Sequence, residues 1–329
     1  MRRTLSLFVA VAALAAMGLP GPAAGTTNSA GNTGPALQVS EAVLEEALSC
    51  PARFSGLRGE PVLFVHGSTL TSESNWSWNY GKVLPADGYD VCLVDLPDRA
   101  RADMQVSTEY VVHAIRTMAE RSGGRKIDVV GFSQGPIEPR WALKWWPEIR
   151  SLVDDVVAQA GVAHGFTETE GICAKSCIAP FWQMKPDSQF LAALNAGDET
   201  PGDVSYTSVY SRTDQFVWLA GGGNPWDESA RLDGASNIAV QDLCPGRPVD
   251  HIQVVYDSIV HAVTMDALSN PGPADPSRIH RSLCSQAAMA GVSMADATRW
   301  TAQINYELFT LASEHHTEAE PALAAYARS

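Results

Sequence analysis

Residues 131–135 read Gly-Phe-Ser-Gln-Gly, a G-x-S-x-G pattern. Five residues with three fixed are weak evidence alone; their surroundings add weight. Val129-Val130 closes an apolar, strand-like run directly before them, and a helical pattern follows. A serine at a strand–turn–helix elbow must adopt a strained backbone. Flanking glycines remove side chains that would clash there, and the hydroxyl is lifted clear of the sheet. The plainer reading is a loop serine in a glycine-rich turn. The flanking elements favour Ser133 as a nucleophile.

A serine hydroxyl attacks poorly unless a base takes its proton. On sheets with such an elbow the partners follow in the order serine, acid, histidine. His66 and His113 precede Ser133, and His164 follows too closely to leave room for the acid. His315 and His316 lie in a polar tail, and His280 sits between loop residues just before Cys284. His251 follows a Cys-Pro-Gly-Arg-Pro-Val-Asp loop, from which an imidazole can reach over to the serine, so it is the favoured base. His261, within a helical run, is the runner-up. For the acid, Asp214 leads off the end of the strand-like Tyr206–Tyr210. Asp233 and Asp242 are alternatives, and Asp250 reads as structural. Oxyanion stabilisation needs aimed backbone donors. The amide of Gln134 is one. Ser68, in the loop after Val62-Leu63-Phe64-Val65, is the other, with its hydroxyl as a further candidate.

The elements that must position these groups alternate. Strands are expected at 61–65, 90–94, 126–130, 153–158, 204–210 and 237–240, and helices at 107–121, 141–149 and 252–268. That alternation implies an α/β fold with a mostly parallel sheet and helices on both faces. The tail from Gln286 to Ala327 reads as helical, with a stripe of Ala295, Trp300, Ile304, Leu308 and Leu311 expected to pack on the core.

The chain has 329 residues, 23 basic against 37 acidic, for a net charge of -14. Such a surface repels phosphate backbones and anionic headgroups, which argues against nucleic-acid binding. Residues 1–25 read as a signal peptide: Arg2 and Arg3, an apolar Leu5–Leu19 stretch short of the ~20 residues of a span, then Ala23-Ala24-Gly25. Residues 26–45 read as a flexible segment and 46–329 as one domain. No transmembrane segment is expected after cleavage. The six cysteines, Cys50, Cys92, Cys173, Cys177, Cys244 and Cys284, suit export as three bridges. Cys173 and Cys177 are the only close pair, so no tetrahedral metal site is expected.

Beyond single motifs, the chain resembles the Candida antarctica lipase B-like family of the α/β-hydrolase superfamily. The resemblance rests on Pro61–Gly67, Ser74–Trp76, Thr108–Tyr110, Ser133–Gly135, Tyr210–Asp214 and Val249–His251. It implies an α/β-hydrolase fold with a small lid in the 161–202 excursion; the C-terminal helical cap (285–329) is expected from the tail's own pattern. The resemblance implies a triad of Ser133, Asp214 and His251 and an oxyanion hole at Ser68 and Gln134. It also implies bridges Cys50–Cys92 and Cys244–Cys284, and a local Cys173–Cys177 bridge is expected beside them. Phe216 and Val217 carry over from the family's acyl pocket. The chain departs from the pattern at Pro136, at the Cys173/Cys177 pair and after Cys284. The expected activity is that of a secreted, monomeric serine carboxylic-ester hydrolase, foremost a triacylglycerol lipase. A carboxylesterase or polyester depolymerase would use the same residues, and a non-catalytic hydrolase-fold binding protein is the rival of another class. The partner is a neutral lipid or ester, with no cofactor and no metal. Gly165, Gly171 and the apolar Phe166, Ile172, Ile178 and Phe181 suggest a small flap with an oily underside and weak or no interfacial activation.

Overall fold

The computed structural model describes residues 33–216, 225–312 and 314–328; the expected signal peptide and Val217 lie outside them. Its frame is a seven-stranded sheet: β1 (Leu48–Ser49), β2 (Val62–Val65), β3 (Val91–Val94), β4 (Ile127–Phe132), β5 (Val153–Gln159), β6 (Ser205–Tyr210) and β7 (Ser236–Ala239). The spatial order is β1-β3-β2-β4-β5-β6-β7. Only the β1–β3 pairing is antiparallel. Because β2 to β7 run the same way, the segments leaving β4, β6 and β7 emerge on one edge, where a site can be assembled. The expected α/β-hydrolase fold is present.

The central strands are covered on both sides, which is why they read as apolar runs. Side chains alternate along them. Leu63, Val65, Val129 and Val156 enter one core with Val111, Val112, Ile115 and Met118 of the helix Met104–Arg121. Val62, Phe64, Val130 and Val157 enter the other with Ile259, Val260 and Val263 of the helix Ser258–Ser269. Both helices are capped by aspartates: Asp103 accepts from the Gln105 amide, and Asp257 from the amides of Ile259 and Val260.

All three expected bridges form: Cys50–Cys92, Cys173–Cys177 and Cys244–Cys284. The two ends of the described chain are held in definite ways. Residues 33–40 are fastened by hydrogen bonds from Gly34 to Glu148 and from Gln38 and Val39 to Glu109, with a helix Glu41–Glu46 behind them. The C-terminal helix covers only Met294–Leu311. Residues 314–324 form bends, an isolated bridge at Thr317 and irregular chain instead, tied by Thr317 to Cys177 and by Ala322 and Ala324 to Gln105. Within the helix, Ile304 is buried and Trp300 and Leu308 half-buried, as the stripe requires, whereas Ala295 is exposed and Ala297 takes the buried place. Among the described residues no helix is long and apolar enough to cross a membrane.

Candidate active site

Ser133 follows the last residue of β4 with φ of 58°, in the left-handed region that costs an ordinary residue roughly 1–2 kcal/mol. The glycines show why the turn tolerates nothing larger. A Cβ on Gly131 would lie 2.5 Å from the Gly135 carbonyl carbon, and one on Gly135 would lie 2.4 Å from the Val65 carbonyl oxygen. The Ser133 N–H donates to the Gln159 carbonyl of β5 at 2.9 Å, which ties the turn to the sheet.

His251 Nε2 lies 3.0 Å from Ser133 Oγ, and its Nδ1 lies 2.6 Å from Asp214 Oδ2. Asp214 is fully buried; burial pushes its carboxyl above the ordinary range, against the opposing pull of the imidazole. The Phe216 N–H donates to Asp214 Oδ1 at 3.0 Å and fixes the carboxylate plane. The loops carrying acid and base are stitched together: Ser211 Oγ donates to the Val249 carbonyl at 2.6 Å, and the Val249 N–H donates to Thr213 Oγ1 at 2.9 Å. Phe132 and Phe216 pack on the imidazole, with ring centroids 4.8 and 4.7 Å away. The alternatives are engaged elsewhere. His261 is half-buried beside Tyr80, where desolvation pushes its imidazole down to about 4. Asp242 pairs with Arg212.

Ser68 and Gln134 meet beside the serine. Ser68 Oγ donates to Gln134 Oε1 at 2.6 Å, and Gln134 Nε2 donates to Glu138 Oε1 at 2.7 Å. The main-chain N–H groups of Ser68 and Gln134 donate to no other protein group among the described residues. Two amides left in this way beside a hydroxyl can receive a developing oxyanion. Glu138 was not foreseen from the sequence. His66, which chain order excluded as the base, holds this loop: its Nδ1 donates to the Gly67 carbonyl at 2.9 Å, and its Nε2 accepts from the Leu96 N–H at 2.9 Å.

Above Ser133 opens a cavity of about 260 Å³. Phe166, Ile172, Phe181 and Met184 line it from the expected lid region, and Phe216 from beyond the acid. Ile178 of the expected oily underside is buried but is not part of the lining. Leu308 and Phe309, near the end of the helix Met294–Leu311, supply the remaining wall. Phe309 stacks on Phe216 with centroids 6.1 Å apart. An apolar slot ending at a Ser–His–Asp relay suits an ester with a hydrocarbon acyl chain.

The model of the family described as Lipase (class 2) matches residues 59–243. Lipase B of Pseudozyma antarctica is 32% identical over 237 residues, 71% of this chain and 69% of that protein. The chain belongs to the class 2 lipase family. The crystal structure of Aspergillus fumigatus lipase B superposes with a TM-score of 0.81 at 29% identity, covering 90% of this chain and 73% of that one. A Bacillus licheniformis lipase in mature form shares the fold, with a TM-score of 0.52 at 18% identity over 68% of this chain and 98% of that one. This class 2 lipase is a carboxylic-ester hydrolase, related by sequence to the family that its motifs resemble.

Proposed function

We propose that the chain is a secreted triacylglycerol lipase working through Ser133, His251 and Asp214 and an acyl-enzyme intermediate. One observation carries the reading: the hydrogen-bonded Ser133–His251–Asp214 chain at the floor of an apolar cavity. His251 takes the Ser133 proton as Oγ attacks the ester carbonyl. Asp214 holds the imidazole in the tautomer that accepts and stabilises the imidazolium. The amides of Ser68 and Gln134 stabilise the oxyanion. As the intermediate collapses, His251 protonates the departing alcohol. Water, deprotonated by the same imidazole, then attacks the acyl-serine and restores the enzyme.

Secretion is supported by the expected signal peptide and by the pairing of all six cysteines, which suits an oxidising compartment. The occupant of the cavity is a neutral lipid or ester, and the working unit is a monomer. The decisive test is labelling with an organophosphonate. Ser133 should carry the adduct, and Ser133→Ala should lose both label and turnover; a label elsewhere refutes the reading. Emulsified triglycerides run beside p-nitrophenyl esters separate lipase from esterase. N-terminal sequencing of the exported product tests the leader.

A further inference from the structure

The two proposed oxyanion donors belong to different loops. Ser68 follows β2, and Gln134 sits on the elbow after β4. The spacing between them sets the size of the hole. The side-chain tie between them is the Gln134 amide group, which accepts from Ser68 Oγ at one end and donates to Glu138 Oε1 at the other. An amide has one accepting and one donating end. Glu138 takes the donating end, so the accepting end must face Ser68. The loop needs such a hold: Thr69, next to Ser68, has φ of 63°, a strained value for a β-branched residue that relaxes when its supports are removed.

Glu138 is a poor choice if its task is to fill space. It lies in the first turn of the helix Ile137–Trp145, fully buried, and its Oε2 has no hydrogen-bond partner. An apolar side chain of similar size would avoid the cost of burying that oxygen. Charged and titratable neighbours do not account for it either. Arg140, also buried, turns to Asn195 and the Glu199 carbonyl, and His66 is occupied by Gly67 and Leu96. Burial pushes the Glu138 carboxyl up to about 8, opposed only by the Gln134 amide and its own main-chain N–H, which favours the uncharged acid.

We propose that Glu138 is a positioning residue for ester hydrolysis: by accepting from Gln134 Nε2 it locks the Gln134 side chain, and through it the Ser68 loop, in the geometry that receives the oxyanion. This rests on Ser68 and Gln134 being the oxyanion donors. Ionised, the same group would place a negative charge two hydrogen bonds behind the site where negative charge develops.

Steady-state hydrolysis of a short p-nitrophenyl ester by the full chain tests this. Glu138→Leu frees the amide, and kcat should fall roughly tenfold to a hundredfold with KM little changed, less than the loss of a direct donor. Glu138→Gln, which keeps the acceptor and cannot ionise, should restore most of that loss and remove the decline in kcat above about pH 8. In a Ser68→Ala background Glu138→Leu should cost little more. Wild-type kcat and pH profile in Glu138→Leu, or an undiminished penalty in the Ser68→Ala background, overturns the inference. If Glu138→Leu does not fold, an unchanged alkaline limb in Glu138→Gln overturns it instead. Failure of the underlying reading looks different: Ser133→Ala would then stay active, whereas failure of this inference alone leaves Ser133→Ala inert.

Discussion

Thr317 and Cys177 exchange two backbone hydrogen bonds, Thr317 N–H to the Cys177 carbonyl at 2.7 Å and Cys177 N–H to the Thr317 carbonyl at 3.1 Å. The C-terminal tail thus lies across the expected lid and pins it. Trp182 Nε1 adds a third bond to the Thr317 carbonyl at 3.1 Å, and Glu320 accepts from the amides of Gln189 and Phe190. A flap held this way should open little. The rate against tributyrin concentration should therefore rise smoothly through the solubility limit. Thr317→Pro removes one donor and leaves an acceptor wanting, at a cost of about 1–3 kcal/mol. It should lower the melting temperature and expose residues 163–188 to limited proteolysis. A sharp rate jump in the intact chain would show that the strap does not hold the lid.

Asp214→Asn keeps the shape of the relay and spoils its chemistry, because an amide can present N–H groups to His251 Nδ1 and impose the wrong tautomer. On the order of a 10³- to 10⁴-fold loss in kcat is expected. KM should stay within roughly threefold of the parent, as for an interaction made mainly in the transition state. Single-turnover acylation rates provide the measurement.

Phe309 is 69% exposed yet forms part of the cavity wall against Phe216. Phe309→Ala removes apolar contact that only a long acyl chain reaches. About 1 kcal/mol of lost contact corresponds to a roughly fivefold lower kcat/KM on octanoate or longer esters, with acetate nearly unaffected. Equal losses on both chain lengths would contradict this assignment.

Stability should fall as pH rises from about 4 to 8. At the starts of β4 and β5, carboxylate oxygens of Asp128, Asp154 and Asp155 lie within 4.8 Å of one another. A register shift in this pairing aligns Ile127 with Val153 but Val129 with Val156, so two aspartates oppose one. Burial, then the neighbouring Asp154, pushes Asp155 up to about 8, and burial and the other acids push Asp128 well above its usual range. With the folded value raised above the unfolded one, the folded chain binds more protons in that window, and stability drops with increasing pH. Asp155→Asn should stabilise the fold at pH 8 more than at pH 5, by on the order of 1–3 kcal/mol. Parallel melting profiles would rule this out.

The bridges should differ in worth. Cys50–Cys92 spans 42 residues and Cys244–Cys284 spans 40, against 4 for Cys173–Cys177. Loop-closure entropy gives about 4 kcal/mol for each long loop and about 2 for the short one. Denaturant titration of the paired Cys→Ser variants measures these, and peptide mapping under non-reducing conditions checks the connectivity.

What the sequence disclosed followed from local constraint. Gly131 and Gly135 have no alternative around Ser133, and chain order leaves few histidines, so the three side chains that the structure joins by hydrogen bonds, Ser133, His251 and Asp214, were legible. Doubly covered strands announce themselves as apolar runs. The two-residue β1 is too short to leave a pattern, and the tail's alanines suggested helix where the chain after Leu311 is irregular and tied to Cys177 and Gln105 instead. Glu138 looks from sequence like an ordinary acid favoured by the first turn of a helix; only burial and its contact with Gln134 set it apart. Phe309 reads as one exposed residue of an amphipathic helix, since no periodicity tells which cavity a helix end will reach.

The wall formed by Leu308 and Phe309 comes from chain that begins only after the Cys244–Cys284 bridge has closed the His251 loop. Ser133, Asp214 and His251 therefore all precede, along the chain, the segment that brings Leu308 and Phe309 to the cavity wall. Cys284 marks a natural seam. A lineage, or a bench chimera, could exchange everything past it and retune which esters are accepted while leaving the reacting groups where they are.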